Sequence, residues 1–316
     1  RTSWEEEWNA LHRGHYDSQE QRQVMLRDKW KEGISSFRIG YPALLRNLQT
    51  MLCAGVSGKV LKLAAEYIGN PAAAGPDGQS PLRLLKAWRG LSCRDQGGAG
   101  MLTEALERAA VHNSWNRSGF GRAAVSVIAM DVSNSMGRPV CDDESIRRFD
   151  IGPLLAYSWK SRGEKIVAGI IGNTWRTIAM SQPNAMSPPN AMPPSIAAPH
   201  PSILASTDQF RRHEGVAGFA INAWLVISDL VRKKQVVDKV LIFTDCPLWN
   251  NRAFDQDGGA DIGRWWRRYR REIAPQATLY LFDLAGYGIA PLRKPEEGVY
   301  LLAGWNERFF DVLDIL

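Results

Sequence analysis

Apolar side chains recur at the spacing of a helix throughout the first 112 residues, and almost nothing in this part of the chain has the pattern of a strand. The recurring residues are Leu44, Leu45, Leu48, Met51 and Leu52, then Val60, Leu61, Ala64 and Ile68, then Leu84, Leu85 and Trp88, and then Leu102, Ala105, Leu106 and Ala109. Segments rich in glycine and proline separate these stripes. The pattern predicts a stack of short antiparallel helices, as in helical-repeat proteins.

From Ala123 onward the pattern changes to short, continuous apolar runs, which suit strands buried on both faces of a sheet. The runs are residues 123–130, 164–172, 238–245, 277–285 and 299–304, and helical patterns cover residues 145–162, 220–234, 259–273 and 306–316. Strands that alternate with helices predict an α/β fold with a doubly wound, mostly parallel sheet. Residues 175–179 are expected to pair antiparallel at one edge of that sheet.

This change of pattern predicts two domains. Residues 1–120 form a helical-repeat segment, and residues 121–316 form the α/β domain. The length of 316 residues agrees with two parts, because a single core seldom organises so long a chain. Within the second part, residues 180–202 are rich in proline and contain the near-repeat PNAMSPPNAMPP, so we expect an inserted surface loop.

Composition narrows the class of protein. A hydrophobic content of 45% with 12 tryptophans is typical of a folded globular chain. No run approaches the roughly 18 apolar residues of a membrane span, and no basic-then-apolar leader opens the chain, so we expect a cytoplasmic protein without a membrane partner. The net charge of +6 permits a polyanionic partner but does not require one.

A polar motif, DVSNS, directly follows the first apolar run and contains Asp131, Ser133 and Ser135. Asp245 ends a later run. Ligands bind beyond the carboxyl ends of parallel strands, so we expect these four side chains to lie close together. Carboxylate and hydroxyl oxygens favour Mg²⁺ or another hard divalent cation. The alternative is that Asp131 and Ser133 only cap the turn that follows.

The same four residues resemble the metal-ion-dependent adhesion site (MIDAS) of von Willebrand factor A domains. The resemblance implies a metal ion whose open position is filled by an acidic residue from a protein partner. The family pattern also includes a threonine on an intervening loop, and the matching residues 214–218 contain none. Thr207 and Ser206 are candidate substitutes. Without this hydroxyl, the ion is expected to be held weakly or lost.

The helical part carries a second resemblance. Residues 41–48, YPALLRNL, are similar to a segment of the Ro autoantigen (TROVE) family, and the later order of SPLRLL at 80–85, a helix at 102–111 and a strand before DVSNSM also fits. The resemblance implies the end of a ring of HEAT-like repeats, followed by the A domain. It further implies a ribonucleoprotein that binds small non-coding RNA such as Y RNA, in RNA scaffolding or quality control. The alternative is an assembly module of a larger complex, without RNA as its main ligand.

Four basic residues of the helical segment are candidate RNA contacts, namely Arg38, Arg46, Lys59 and Arg89. Basic side chains on consecutive repeats can line one groove and contact phosphates. For each of them, a solvated surface position is the alternative. Only Arg46 lies within the Ro-like segment.

A cluster of arginines and aromatic residues, RWWRRYRR, occupies residues 264–271. Ile262, Trp266, Tyr269 and Ile273 share one helical face, which is predicted to pack on the sheet while the arginines face outward. The alternative is a contact with single-stranded nucleic acid.

The sequence contains no motif of a known enzyme class. There is no glycine-rich phosphate loop, GxSxG elbow or HExxH motif, and the five histidines are scattered. Cys246 has no partner nearby in sequence that would lower the pKa of its thiol. We therefore expect no catalytic residues.

Overall fold

The computed structural model describes residues 6, 13–14, 18–36, 38–75, 78–92, 98–117, 119–120, 123–140, 145–180, 202–218, 220–245, 261–288, 292 and 295–306. The chain divides into two compact units, Arg1–Arg117 and Ser118–Leu316. All of the predicted proline-rich loop except Met180 and Ser202 lies outside the described residues. So do Cys246 and all of the last predicted helix except Asn306.

The first unit is helical in every assigned element of its described part. Its helices are α1 (Gln19–Ser35), α2 (Tyr41–Cys53), α3 (Gly58–Ile68), α4 (Pro81–Ser92), α5 (Ala99–Val111) and the single turn α6 (Ser114–Arg117). Helices two apart along the chain pack together, α1 on α3, α2 on α4 and α3 on α5, and α4 also packs on α5. Every residue of the four predicted stripes is buried except Trp88, which is half-buried. The prediction of a helical stack is confirmed.

Local chemistry fixes where these helices begin and how closely they approach. Ser18 caps α1 by accepting a hydrogen bond from the Gln21 amide at 3.1 Å. The Tyr41 hydroxyl donates to the Ile68 carbonyl at 2.6 Å, which joins the start of α2 to the end of α3. Gly98 precedes α5 at φ +98°, and a Cβ there would lie 2.4 Å from a methyl group of Leu61, so glycine permits the close contact.

A six-stranded sheet forms the centre of the second unit, in the order β3-β2-β1-β4-β5-β6. The strands are β1 (Val125–Asp131), β2 (Lys165–Ile171), β3 (Trp175–Thr177), β4 (Lys239–Thr244), β5 (Thr278–Asp283) and β6 (Val299–Ala303). All pairs are parallel except β2 with β3, which is antiparallel at the edge. The predicted sheet and its antiparallel edge strand are confirmed.

Helices cover both faces of this sheet, as a doubly wound fold requires. They are α7 (Ile151–Ser161), α9 (Trp224–Lys233) and α10 (Ile262–Glu272), while α8 (Ile203–Gln209) packs on α7. On one face, α9 and α10 pack on β1, β4 and β5 in a core that contains Ile227 and Trp266. On the other face, Gly152 lets α7 lie directly over Met130. The second unit therefore has the architecture of a von Willebrand A domain.

The structure differs from the predicted elements chiefly at three places. Helix α9 begins at Trp224 and not near residue 220. Helix α7 begins at Ile151 and not near residue 145, because a short 3-10 turn, Arg148–Asp150, precedes it. The chain before that turn folds back on itself, and the Arg148 amide donates to the Arg138 carbonyl at 3.0 Å. Helix α8 was not predicted, since its seven residues are too few to show a periodic pattern. In the part of the chain that the structure describes, no helix is long and apolar enough to cross a membrane.

Tyr269 provides a test of how α10 is attached to the sheet. Its hydroxyl accepts from the Val237 amide at 2.9 Å and donates to the Gln235 carbonyl at 2.9 Å. Tyr269→Phe leaves that buried amide without a partner, so we expect a loss of about 1–3 kcal/mol in the free energy of unfolding. Urea denaturation measures this loss. The control Tyr287→Phe, at an exposed tyrosine, should change stability by less than about 0.5 kcal/mol, and an equal effect of both variants would contradict the assignment.

Candidate metal centre

The two predicted acidic ligands lie at the carboxyl ends of two neighbouring central strands of the sheet. Strands β1 and β4 pair in parallel, with Met130 opposite Phe243, so that Asp131 and Asp245 both emerge at the carboxyl ends. Asp131 is 1% exposed and Asp245 is 2% exposed. Two acidic groups are thus buried side by side at the switch point of a doubly wound sheet, where ligands bind in such folds.

A chain of hydrogen bonds joins the four predicted site residues. The Ser133 amide donates to Asp131 Oδ1 at 2.8 Å, and the hydroxyls of Ser133 and Ser135 lie 3.1 Å apart. The Ser135 hydroxyl then donates to Asp245 Oδ1 at 2.7 Å. The short 3-10 turn Asn134–Gly137 holds the two serines in this position. The structure therefore brings all four side chains together.

Two further residues complete the site, and the sequence pattern predicts neither of them. The Thr244 hydroxyl donates to Asp131 Oδ2 at 2.7 Å. Arg148 Nη1 lies 2.7 Å from Asp245 Oδ2 and forms an ion pair with it. Thr244 could have been found, because it directly precedes Asp245 at the end of the same strand. Arg148 gave no such signal, because a non-periodic segment brings it to the sheet from 97 residues away in sequence.

Burial has the largest effect on the pKa of Asp131. It raises the pKa of Asp131 to about 6, against the opposing effect of the hydrogen bonds from Ser133 and Thr244. The nearby charge of Asp245 raises the pKa of Asp131 further. Two adjacent carboxylates that are removed from water need a cation to compensate them. In this structure the Arg148 guanidinium supplies that positive charge to Asp245.

Residues 214–218 correspond to the loop that carries a threonine in von Willebrand A domains, and they lie beside the DVSNS loop. The Gly215 amide donates to the Val132 carbonyl at 2.7 Å, and the Asn173 amide donates to the Ala217 carbonyl at 2.6 Å. A Cβ on Gly172 would lie 2.3 Å from the Ala217 carbonyl oxygen, so glycine permits this approach. Residues 214–218 therefore hold the expected position without contributing a side-chain hydroxyl.

Neither proposed substitute for that threonine bonds to the site. The Thr207 hydroxyl donates to the Ile203 carbonyl at 2.7 Å, within α8. The Ser206 hydroxyl is buried and has no hydrogen-bond partner in the described part of the chain. Both hydroxyls belong to a helix that packs on α7.

The oxygen ligands of this site suit a hard cation, but the Arg148 guanidinium competes with such an ion for Asp245. Asp131, Ser133, Ser135 and Asp245 offer carboxylate and hydroxyl oxygens, the ligands that Mg²⁺ prefers. The described residues contain no group of three or more His, Cys, Asp or Glu side chains that could hold a metal ion, so an ion at this site would depend on the two serines. Arg148 already holds one oxygen of Asp245. These residues could hold Mg²⁺ only in competition with that guanidinium.

The four candidate RNA contacts are distributed over the first unit. Arg38 is exposed in the loop before α2 and forms an ion pair with Glu32 at 2.9 Å. Arg46 is exposed on α2, Lys59 is exposed in the first turn of α3, and Arg89 is half-buried in the last turn of α4. Because α2 and α4 pack together, Arg46 and Arg89 belong to neighbouring helices.

The predicted orientation of α10 is confirmed. Trp266 and Tyr269 are fully buried against the sheet, and the Trp266 indole donates to the Glu297 carbonyl at 3.1 Å. Arg264, Arg267, Arg268 and Arg271 are exposed on the opposite side of the helix.

Taken together, these features define a von Willebrand A-type α/β domain that follows a stack of helical repeats. No protein-family model and no curated protein matches the chain. Among solved structures, the chain is similar to the crystal structure of the Ro (RSR) protein of Deinococcus radiodurans, with a TM-score of 0.57 and 15% sequence identity. The similarity covers 95% of this chain and 64% of that one, so the chain spans less than two thirds of the other protein's length. The chain therefore has the fold of the matching part of this Ro protein.

The ion pair at the sheet edge can be tested by a double-mutant cycle. Arg148→Met leaves the buried Asp245 carboxylate without its cation, and we expect a loss of about 3–5 kcal/mol in the free energy of unfolding. Asp245→Asn in the Arg148→Met background should recover much of that loss, because no uncompensated charge remains. Chemical denaturation of the single and double variants measures the coupling. Arg138→Met, at an exposed arginine nearby, is the control, and additive effects of the two substitutions would rule out the pair.

Proposed function

We propose that this chain is part of a Ro-type RNA-binding protein. The observation that supports the proposal is the order of the parts, since a helical stack followed by an A-type domain matches a Ro protein structure over 95% of the chain. An A domain alone or a helical repeat alone would not indicate RNA binding, because each of these folds serves many functions. The proposed role is the binding of small non-coding RNA, in scaffolding or RNA quality control, and we propose no catalytic step.

The helical segment supplies the proposed contacts with phosphate. Arg46 and Lys59 are exposed on successive helices, and Arg89 lies on a helix that packs against the helix of Arg46. Basic side chains on adjacent repeats neutralise phosphates without reading sequence, which suits a protein that binds structured small RNAs. Arg38 would add a fourth charge, reduced by its ion pair with Glu32.

The RNA proposal predicts that charge reversal in the helical segment weakens binding. Arg46→Glu with Lys59→Glu should lower the affinity for co-purified small RNA by about tenfold or more and reduce the salt dependence of binding, because two phosphate contacts are lost. Filter binding at several salt concentrations measures both effects. Arg22→Glu with Lys31→Glu, at two exposed basic residues of α1, makes the same change of charge and is the matched control.

The RNA content of the native protein decides between the two functions. Sequencing of RNA that co-purifies with the full-length protein should show enriched small RNAs. If no RNA is enriched above a control purification, the proposal fails, and the alternative of a protein-assembly module is favoured.

We further propose that the A domain docks a protein partner at the sheet edge. Asp131, Ser133, Ser135 and Asp245 would hold Mg²⁺, and the ion would bind an acidic side chain of the partner. Arg148 opposes this arrangement in the free protein, because its guanidinium occupies one oxygen of Asp245. The absence of a loop hydroxyl at residues 214–218 also favours a weak site.

This competition predicts that removal of Arg148 strengthens metal binding. Calorimetric titration with MgCl₂ should give weak binding to the unmodified protein, tighter binding by about tenfold to Arg148→Met and none to Asp131→Ala, because the arginine no longer competes and the first carboxylate is essential. The increase in melting temperature that MgCl₂ causes in each variant should follow the same order, since ligand binding stabilises the folded state. Equal binding by Asp131→Ala and the unmodified protein would refute the site.

A further inference from the structure

An open groove lies on the A-type domain between the edge strand β3 and helices α9 and α10, with a cavity volume of about 970 Å³. We name it the tryptophan–arginine groove, and it is defined by Trp175, Arg176, Arg232, Lys233, Trp265 and Arg268. Its volume is near the upper end of the range of roughly 300–1,000 Å³ that ligand pockets span. It is built from residues outside the candidate metal centre.

Two tryptophans form aromatic walls of the groove. Trp175 and Trp265 are both half-buried, and the Trp175 indole donates to Asp229 at 3.3 Å. Trp265 stacks on Trp224 with ring centroids 6.3 Å apart and an angle of 18° between the planes, and the Arg268 guanidinium lies 5.6 Å from the Trp265 ring centroid. Because packing on the domain core holds all three rings, the exposed parts of Trp175 and Trp265 are fixed surfaces in the groove.

Positive charge continues from the groove along the outer face of α10. A second, smaller cavity of about 330 Å³ is lined by Trp265 and Arg268, shared with the groove, and by Arg264, Arg267 and Arg271. Together the two cavities present seven basic side chains. Three acidic side chains, Asp229, Glu272 and Glu296, form ion pairs with members of this set. Among the described residues that line the two cavities or form ion pairs with their lining, seven are basic and three are acidic.

We infer that the tryptophan–arginine groove binds single-stranded RNA, with bases against Trp175 and Trp265 and phosphates along the arginines of α10. Fixed aromatic faces within a basic channel are the combination by which proteins bind single strands without sequence preference. An acidic protein segment would suit the arginines but would make no specific use of the two half-buried indole rings. The choice of RNA as the ligand rests on the proposed function, whereas the location of the site rests on the residues of the groove.

Fluorescence anisotropy with the full chain and a labelled 15-nucleotide polyuridine probe tests this inference. Arg176→Glu should weaken binding about tenfold and lower the salt dependence, because a phosphate contact is lost. Trp265→Leu should weaken binding about tenfold or more, whereas Trp265→Phe should keep most of the affinity, because stacking needs an aromatic ring. Lys165→Glu is the matched control, since Lys165 is also exposed and lies ~20 Å along β2 from the end that pairs with Trp175.

Cross-linking with a 4-thiouridine probe, read by mass spectrometry, locates the contact. Cross-links at Trp175 or Trp265, together with the expected losses, support the inference. Loss of affinity in Lys165→Glu equal to that in Arg176→Glu, or cross-links confined to the first unit, would overturn it. So would displacement of the probe by polyglutamate at equal charge concentration, which would indicate an acidic protein as the ligand.

The helical variant Arg46→Glu with Lys59→Glu separates this inference from the proposed function. If only the helical variant loses affinity, the groove inference fails and the proposed function stands. If only the groove variants lose affinity, the groove inference stands and the proposed helical contacts fail. Thermal melts identify any variant that has lost its fold, and the exposed Arg176→Glu variant keeps the test decisive if Trp265→Leu is unstable.

Discussion

The loops at the carboxyl end of the sheet in the second unit surround two carboxylates that are buried side by side. Asp131 and Asp245 meet because β1 and β4 are parallel neighbours, and each is almost completely removed from water. Burying an uncompensated charge costs several kcal/mol, so donors must surround both groups. The serine turn, the Thr244 hydroxyl and the Arg148 guanidinium supply them. The segments that carry these donors are therefore held in place by their hydrogen bonds to the two carboxylates.

This requirement also explains why the site keeps its shape without the family threonine. A metal ion and a guanidinium can both neutralise Asp245, but they do so differently, because a divalent ion gathers several oxygen ligands and an arginine donates hydrogen bonds in one plane. Here Arg148 bonds to one carboxylate oxygen while Ser135 bonds to the other. The backbone bond from Gly215 to Val132 holds the neighbouring loop in place. Neither of these contacts needs a hydroxyl on that loop.

Local patterns predicted most of the fold, and contacts between distant segments account for what they missed. The helical stripes and buried strands follow from side-chain periodicity, and the meeting of Asp131 with Asp245 follows from the rule that parallel strands end at one edge. Arg148 could not be predicted, because its position depends on a fold-back with no periodic signal. Periodicity also identified Trp266 as a core residue. It could not show that Trp265 and Trp175 line the same groove, because the groove is formed by separate elements of the fold.

The two surfaces of the A-type domain share one turn. Asn173 follows β2, where its amide donates to the Ala217 carbonyl and its side chain accepts from the Ala220 amide at 2.8 Å. The same residue lines the tryptophan–arginine groove. The loop beside the acidic edge is thus bonded directly to a wall of the groove, and a Cβ on Gly172 would not fit between them. Because packed protein resists small displacements, a shift of that loop must move this wall of the groove or break those hydrogen bonds.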